Sequence, residues 1–246
     1  MKIEGTVALV TGASRGIGKQ FVEELRAAGA AQIYVGVRDI KAVAEIVATD
    51  PKRIIPVQLD VTSEQSIQAA AAQCPDVSLL INNAGVLQSK GLIAAPDISS
   101  ARVEMEVNYF GTLLMCRAFA PILKANAGGA IINVLSILAR INFPPEGSYS
   151  ASKAAALSLT QGVRAELAPQ KTLVVAVMPS RVDTDMTRNE QAQKISPTEV
   201  AQASLQAVID EVEEVYVGDE AKYLAAQLAS NPKAIEKQLA QMLPTS

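Results

Sequence analysis

A tyrosine and a lysine, Tyr149 and Lys153, stand four residues apart at the start of an apolar, alanine-rich run. If this run is helical, both side chains leave the same helix face about one turn apart. An ammonium beside a phenol favours the phenolate, and so lowers the tyrosine pKa from its reference value of about 10. The pair could therefore serve as general acid for a carbonyl or general base for an alcohol. Because such pairs also occur by chance on exposed helices, the rest of the chain must decide.

A glycine-rich stretch lies near the N-terminus, between the apolar residues 7–10 and an amphipathic segment that ends at Gly29. The order of strand, glycine loop and helix is typical of dinucleotide sites, where glycines admit a pyrophosphate and the helix supplies free N–H groups. The alternative is an ordinary strand-to-helix turn with incidental glycines. The pattern predicts cofactor contacts from Gly12, Ser14, Arg15, Gly16, Ile17 and Gly18.

The end of the second predicted strand, residues 32–37, indicates which cofactor is used. NAD sites place an acidic residue there to hold the ribose hydroxyls, but this chain has Val37 followed by Arg38. A guanidinium can bind the 2′-phosphate of NADP in a bidentate manner, with Arg15 as a second clamp. The alternative is that both arginines are merely solvated. We therefore expect NADP(H) to be preferred over NAD(H).

Apolar strand-like runs continue to alternate with helical patterns along the chain. Strands are expected over 54–59, 77–81, 131–135 and 173–178, with helices over 40–49, 62–73, 99–123 and from Tyr149 onward. This alternation predicts an α/β, doubly wound parallel β-sheet of the Rossmann type. We expect one domain over 1–246, with a core of about 5–190 and a C-terminal substrate-loop and helical region over 185–246. That region should hold two helices around a short strand, 215–217, the second helix spanning 220–243.

Composition excludes several classes of function. The chain has 246 residues, 49% of them apolar, and a formal net charge of −3, which gives no footprint for nucleic acid. No apolar run is long enough for a membrane span. Histidine is absent, so no metal site and no histidine-based triad are expected. The two cysteines lack metal or redox spacing, and the N-terminus lacks a signal-peptide layout, so a cytoplasmic location is expected.

Four pieces in order make the chain resemble the short-chain dehydrogenase/reductase family, in its compact single-domain branch. They are residues 11–18, Asn82-Asn-Ala-Gly85, Ser136, and Tyr149 with Lys153. The resemblance covers about residues 5–190 and implies NAD(P)-dependent oxidation of alcohols or reduction of carbonyls.

The resemblance also implies roles for four catalytic residues. Tyr149 would be the general acid/base, and Lys153 would bind the nicotinamide ribose and lower the tyrosine pKa. Ser136 would hydrogen-bond the carbonyl oxygen. Asn108 would hold a water of the proton relay, although a structural role for this amide is equally open.

Further cofactor contacts follow from the same resemblance. Asp60 and Val61 would lie by the adenine, while the adenosine side would be lined by Asn83, Ala84 and Gly85. The nicotinamide would be surrounded by Pro179, Val182 and Thr184. Two departures from the family pattern are Ser180, where a glycine is usual, and a helical C-terminus in place of a glycine-rich ending.

The substrate pocket is expected after Ser136 and after Thr184, lined by Leu138, Ile141, Phe143 and Met186. These residues could instead serve loop packing. Because no basic cluster accompanies them, a neutral, fairly hydrophobic ketone or alcohol is favoured. The leading interpretation is an NADPH-dependent carbonyl reductase. Alternatives are an enzyme acting mainly in alcohol oxidation and a nucleotide-sensing protein without turnover.

Assembly is the last expectation. The helix after Tyr149 carries small residues that permit close helix approach, Ala151, Ala155, Ser158 and Gly162. The helix through Asn108 has apolar residues to bury, Val103, Tyr109, Leu113 and Phe119. Related proteins pair these helices across a two-fold axis, so a homodimer is favoured, with a tetramer possible.

Overall fold

A computed structural model describes residues 1–189 and 191–244 and shows one parallel sheet with helices on both faces. Its strands are β1 Val7–Thr11, β2 Gln32–Val37, β3 Ile54–Gln58, β4 Leu79–Asn82, β5 Gly129–Val134, β6 Thr172–Pro179 and β7 Glu214–Val217. They are ordered β3-β2-β1-β4-β5-β6-β7, and every neighbouring pair is parallel. This confirms the predicted doubly wound sheet and single domain.

Helices cover both faces of the sheet. They are α1 Gly16–Ala27, α2 Ala44–Ala48, α3 Glu64–Gln73, α4 Ser99–Met105, α5 Thr112–Ala125, α6 Gly147–Leu167, α7 Pro197–Ile209, α8 Asp219–Ser230 and α9 Pro232–Leu239. One face packs on α1 and α7, the other on α3, α5 and α6. In β1, Ala8 and Val10 face the first core and Leu9 the second. Burial on both faces explains why the strands are apolar without alternation.

The strand order reverses at β1, which has β2 on one side and β4 on the other. Such a reversal opens a crevice at the carboxyl ends of the strands, and open α/β sheets bind ligands there. The predicted motifs follow β1, β2, β4, β5 and β6, so they all lie at this edge.

The helix expected over 99–123 is present from Ser99 to Ala125, but its hydrogen bonding changes partway along. Between α4 and α5 the chain forms a π-helical turn, Glu106–Gly111, with Asn108 inside it. Single π-turns within α-helices are rare and frequently occur at functional sites. The helix expected over 40–49 is shorter, because Ile40–Val43 form a 3₁₀ turn before α2.

The C-terminal region begins with the expected helix, α7, and corrects the expectation for the tail that follows β7. Ser196 and Glu199 form the capping box that begins α7. The single helix expected over 220–243 is wrong, because it breaks at Asn231 and a new helix begins at Pro232, which lacks the N–H needed to continue α8. Among residues 1–189 and 191–244, no helix is long and apolar enough to cross a bilayer.

Candidate active site

The glycine loop after β1 is shaped by backbone positions that tolerate no side chain. Gly16 has a φ of +54°, in the left-handed region that favours glycine. A Cβ at Gly18 would lie 2.4 Å from the Gly12 carbonyl oxygen and 2.6 Å from the Asn83 amide nitrogen. The first turn of α1 therefore sits directly on the loop.

The start of α1 keeps its N–H groups available. Arg15 precedes the helix in an extended conformation, its side chain does not cap the helix, and the first turn holds no acidic residue. Free N–H groups and the helix dipole together favour an anion at this end. The residues present therefore fit the pyrophosphate of a dinucleotide.

The end of β4 is fastened to this loop by hydrogen bonds. The Thr11 hydroxyl accepts the N–H groups of Asn83 and Ala84 at 2.9 and 3.0 Å. The Asn83 side chain donates to the carbonyl oxygens of Thr11 and Gly12 at 2.9 and 3.2 Å. Asn83 thus holds the loop with its side chain, and Thr11 is a positioning residue that the sequence analysis missed, although it opens the glycine motif.

Beyond β2 and β3 lies the edge expected to receive the adenosine half. Arg38 is exposed directly after β2. Asp60 accepts two hydrogen bonds from Thr62, from its N–H at 2.9 Å and its hydroxyl at 2.7 Å. These bonds, with a further contribution from the positive charge of Arg38, lower the pKa of Asp60. Val61 is buried beside them and packs against Gly111 of the π-turn.

Tyr149 and Lys153 lie in the first half of α6, both buried. The Lys153 ammonium donates to the Val134 carbonyl oxygen at 2.9 Å and lies 5.6 Å from the centroid of the Tyr149 ring. Burial disfavours the charged form and lowers the Lys153 pKa to about 8. The structure therefore brings the predicted pair together in a low-dielectric site.

Ser136 follows β5 by two residues and is also buried. Its hydroxyl oxygen accepts the N–H of Leu138 at 3.1 Å. Because a hydroxyl has one proton and two lone pairs, this bond leaves the Ser136 proton for another acceptor. The two other serines near the tyrosine are turned elsewhere: Ser148 donates to the Lys90 carbonyl and Ser150 to that of Glu146.

Asn108 is held rigidly by the backbone beyond β4. Its amide nitrogen donates to the Val86 carbonyl at 3.0 Å and to the Ser152 hydroxyl at 2.9 Å, and its oxygen accepts the Val86 N–H at 2.9 Å. Ser152 in turn donates to the Tyr149 carbonyl at 2.7 Å. This network makes Asn108 a structural amide, while its oxygen retains capacity for one more bond. Ser152, between the tyrosine and the lysine in the motif, was missed in the sequence analysis.

Gly85 lies at the centre of these groups. A Cβ there would be 3.2 Å from the Asn108 side-chain oxygen and 3.6 Å from the Lys153 nitrogen. A third missed residue, Glu104, is fully buried one turn before Asn108 and accepts the Gln88 N–H at 2.8 Å. Glu104 and Asn108 together therefore fix the chain that follows Gly85.

The segment after β6 crosses toward the glycine loop. A Cβ at Gly16 would lie 3.1 Å from the Thr184 methyl carbon, and Arg15 pairs with Asp185 at 3.2 Å. Pro179 and Val182 are buried beneath this segment. Ser180 does not have the positive φ that would require glycine, so its Cβ causes no backbone strain.

The predicted substrate residues lie in separate surroundings. Leu138 and Ile141 are half-buried in the chain after Ser136. Phe143 lies under the Arg181 guanidinium, 5.8 Å from its carbon to the ring centroid. Met186 is 46% exposed.

Comparisons with known proteins agree with this geometry. The family model described as short chain dehydrogenase matches residues 6–195. A short-chain dehydrogenase structure from Burkholderia cenocepacia, in complex with NADP, has a TM-score of 0.93 and 48% identity, covering 97% of this chain and 99% of that one. A short-chain dehydrogenase/reductase from Burkholderia phymatum, in complex with NAD, has a TM-score of 0.84 and 25% identity, covering 97% and 96%.

Among curated proteins, the short chain dehydrogenase tazN of Aspergillus terreus is 36% identical over 78% of this chain, which spans 44% of that protein's length. A 3-oxoacyl-[acyl-carrier-protein] reductase of Aquifex aeolicus is 32% identical over 76% of this chain and 78% of its own length. The family model covers most of the chain, and the parallel sheet carries the family's motifs at one edge. The chain therefore belongs to the short-chain dehydrogenase/reductase family of oxidoreductases.

Proposed function

We propose that this protein is an NADPH-dependent carbonyl reductase acting on neutral, fairly hydrophobic ketones, and that it can also oxidise the corresponding secondary alcohols. The observation that carries this proposal is the buried pair of Tyr149 and Lys153. Ser136 supplies a second hydroxyl near this pair. It lies two residues beyond Val134, whose carbonyl oxygen accepts a hydrogen bond from Lys153.

The bound nicotinamide would supply or accept the hydride, as is general for this cofactor class. In reduction, negative charge develops on the substrate oxygen. The Tyr149 hydroxyl would give that oxygen a proton, and the Ser136 hydroxyl would donate a hydrogen bond to it. Lys153, with a pKa of about 8, can hold or release a proton near neutral pH and would thereby support proton transfer by the tyrosine.

We propose NADP(H) as the preferred cofactor, with Arg38 reading the 2′-phosphate. The NADP complex of the Burkholderia cenocepacia protein supports this assignment. The proposed role of Arg15 as a second clamp requires it to exchange its pairing with Asp185 for phosphate oxygens. That exchange costs little free energy, because exposed ion pairs contribute only about 0–1 kcal/mol to stability.

Two alternatives are kept. The same residues support a dehydrogenase working mainly in oxidation, because general acid and base exchange roles on reversal. A nucleotide-sensing protein without turnover is less favoured, because Tyr149 and Lys153 are both present and adjacent.

We also propose a reducing, cytoplasmic setting for the protein. The two cysteines are buried free thiols, which supports that proposal.

We further propose a homodimer through α6 and the segment from α4 to the π-turn. On that segment Val103 and Phe110 are each 44% exposed. Phe119, expected at the same face, is instead fully buried in the subunit core. Exposed small residues on α6 would let a second copy approach closely, and they are Ala151, Ser158 and Gly162. Such a contact would be isologous, with one patch serving both subunits.

The test of the catalytic proposal is turnover of aryl and aliphatic ketones with NADPH, and of secondary alcohols with NADP⁺, by the parent and by Tyr149→Phe. The variant should lose about 10²–10⁴-fold in rate, because it lacks the proton donor. It should bind NADPH nearly as the parent does. Ser148→Ala is the control, because the Ser148 hydroxyl donates to the Lys90 carbonyl and has no role in the proposed proton transfer. A Tyr149→Phe rate above about a hundredth of the parent rate would contradict the tyrosine's role.

A further inference from the structure

We propose that Asp185 is a cofactor-specificity residue, which competes with the 2′-phosphate of NADP(H) for the Arg15 guanidinium and so limits the preference over NAD(H). The inference rests on the proposed function, because it deepens the role given there to Arg15. Removing the Asp185 carboxylate should accordingly sharpen the preference for NADP(H).

Arg15 stands between two parts of the cofactor cleft. The loop that carries it begins against β2, where the Gly12 N–H donates to the Gly36 carbonyl at 2.9 Å. Arg38, proposed to read the 2′-phosphate, follows Gly36 by two residues. On the opposite side, Gly16 lies against the segment that follows β6. A rotation of one long side chain therefore decides which of the two sides receives the guanidinium.

The structure shows Arg15 turned to the segment after β6. Its guanidinium nitrogen lies 3.2 Å from a carboxylate oxygen of Asp185. The Arg15 side chain is 76% exposed and that of Asp185 is 47% exposed. The pair is therefore open to solvent, and the Arg15 side chain has room to turn away from it.

Asp185, in contrast, is held in place. It begins a single 3₁₀ turn, and the base of its segment is fixed by backbone hydrogen bonds. There Ile195 accepts the Asp183 N–H at 2.9 Å and donates to the Arg181 carbonyl at 2.9 Å. Arg15 is therefore the partner that moves when the pair separates.

A second arginine keeps Asp185 paired when Arg15 leaves. Arg188 follows Asp185 by three residues and binds its other carboxylate oxygen. The exchange therefore costs the Arg15 pair alone and leaves no carboxylate without a counter-ion. One exposed ion pair of this kind corresponds to a factor of up to about five in affinity.

The competition acts on one cofactor only. NAD(H) carries a hydroxyl where NADP(H) carries the 2′-phosphate, so its binding does not require Arg15 to leave Asp185. The ion pair therefore weakens NADP(H) and spares NAD(H), which opposes the discrimination proposed for Arg38.

The test is a double-mutant cycle on the full-length protein, with Arg15→Met, Asp185→Asn and the combined variant. Calorimetric titrations give the dissociation constants of NADPH and NADH, at low ionic strength because salt screens exposed charges. Asp183→Asn is the matched control. It removes the same charge from the same segment, and its carboxylate pairs with Lys194, at 3.7 Å.

Asp185→Asn should strengthen NADPH binding by about two- to fivefold and leave NADH binding nearly unchanged. In the Arg15→Met background the same change should affect neither cofactor, because the side chain for which Asp185 competes has been removed. Asp183→Asn should leave both affinities close to those of the parent.

Equal gains for both cofactors, or a gain that persists in the Arg15→Met background, would overturn the proposal, since either result would assign Asp185 a general charge effect. A gain of the same size from Asp183→Asn would do so as well. If Arg15→Met weakens NADPH binding but Asp185→Asn gives no gain, this proposal fails and the proposed function stands. If Arg15→Met changes neither affinity, the role of Arg15 in the proposed function is refuted together with this proposal.

Discussion

The buried ammonium of Lys153 gives a prediction about stability that can be separated from catalysis. Its pKa falls from 10.5 to about 8 because burial penalises the charged form. At about 1.4 kcal/mol per pKa unit, this difference corresponds to roughly 3 kcal/mol of lost stability wherever both folded and unfolded chains are protonated, below pH 8. Between pH 8 and 10.5 the unfolded chain binds more protons than the folded chain. The free energy of unfolding contributed by this group must therefore rise with pH across that window.

Lys153→Met isolates the effect, because it removes the charge and keeps an unbranched apolar stem. The variant leaves the Val134 carbonyl without its donor, at a cost of about 1–3 kcal/mol that does not vary with pH. Both proteins carry Tyr149→Phe in this comparison, because an ammonium beside the phenol would shift its titration. The remaining titrating groups are shared by both proteins and cancel. The stability of the parent minus that of the variant should accordingly increase by about 2–3 kcal/mol from pH 7 to pH 10.

Urea unfolding of the nucleotide-free proteins at fixed protomer concentration measures this difference. Lys19→Met is the matched control, because the Lys19 side chain is 51% exposed on α1 and its ammonium stays in water. The control should lack the rise. A parent-minus-variant difference that is flat between pH 7 and pH 10 would refute the argument that Lys153 is desolvated in the folded protein.

Three further predictions concern the cofactor and assembly. Arg38→Ala should weaken NADPH binding and spare NADH in calorimetric titrations; equal losses would show that Arg38 does not read the 2′-phosphate. Gly18→Ala should weaken both cofactors and destabilise the fold by about 1–3 kcal/mol, because its Cβ would overlap Gly12 and Asn83. A Gly18→Ala variant with the stability and the cofactor affinities of the parent would contradict the packing argument. Light scattering should give about 52 kDa, twice the 25.9 kDa chain; about 26 kDa would exclude the dimer, and about 104 kDa would indicate a tetramer.

The local sequence predicted the bounds of the strands more accurately than those of the helices. Most strands were predicted to within two residues, because strands buried on both faces are continuous apolar runs bounded by polar turns. The long helix over 99–123 was predicted, but the π-turn inside it at Glu106–Gly111 was not, since such a turn leaves no mark in apolar periodicity. The single helix predicted over 220–243 was wrong for a different reason. Pro232 indicates a break between two helices, but Asn231 and Pro232 were taken as helix interior.

The sequence by itself determined the fold class, the family, and the proximity of Tyr149 and Lys153, because each depends on short-range periodicity or on an ordered motif. Only the tertiary structure decided what surrounds them. It turned Asn83 onto the glycine loop, paired Arg15 with Asp185, and buried Lys153 against Val134. It also brought Pro244 onto Gly91, more than 150 positions away in the chain. Such contacts join segments distant in sequence, and they follow from how the helices cover the sheet rather than from any local pattern.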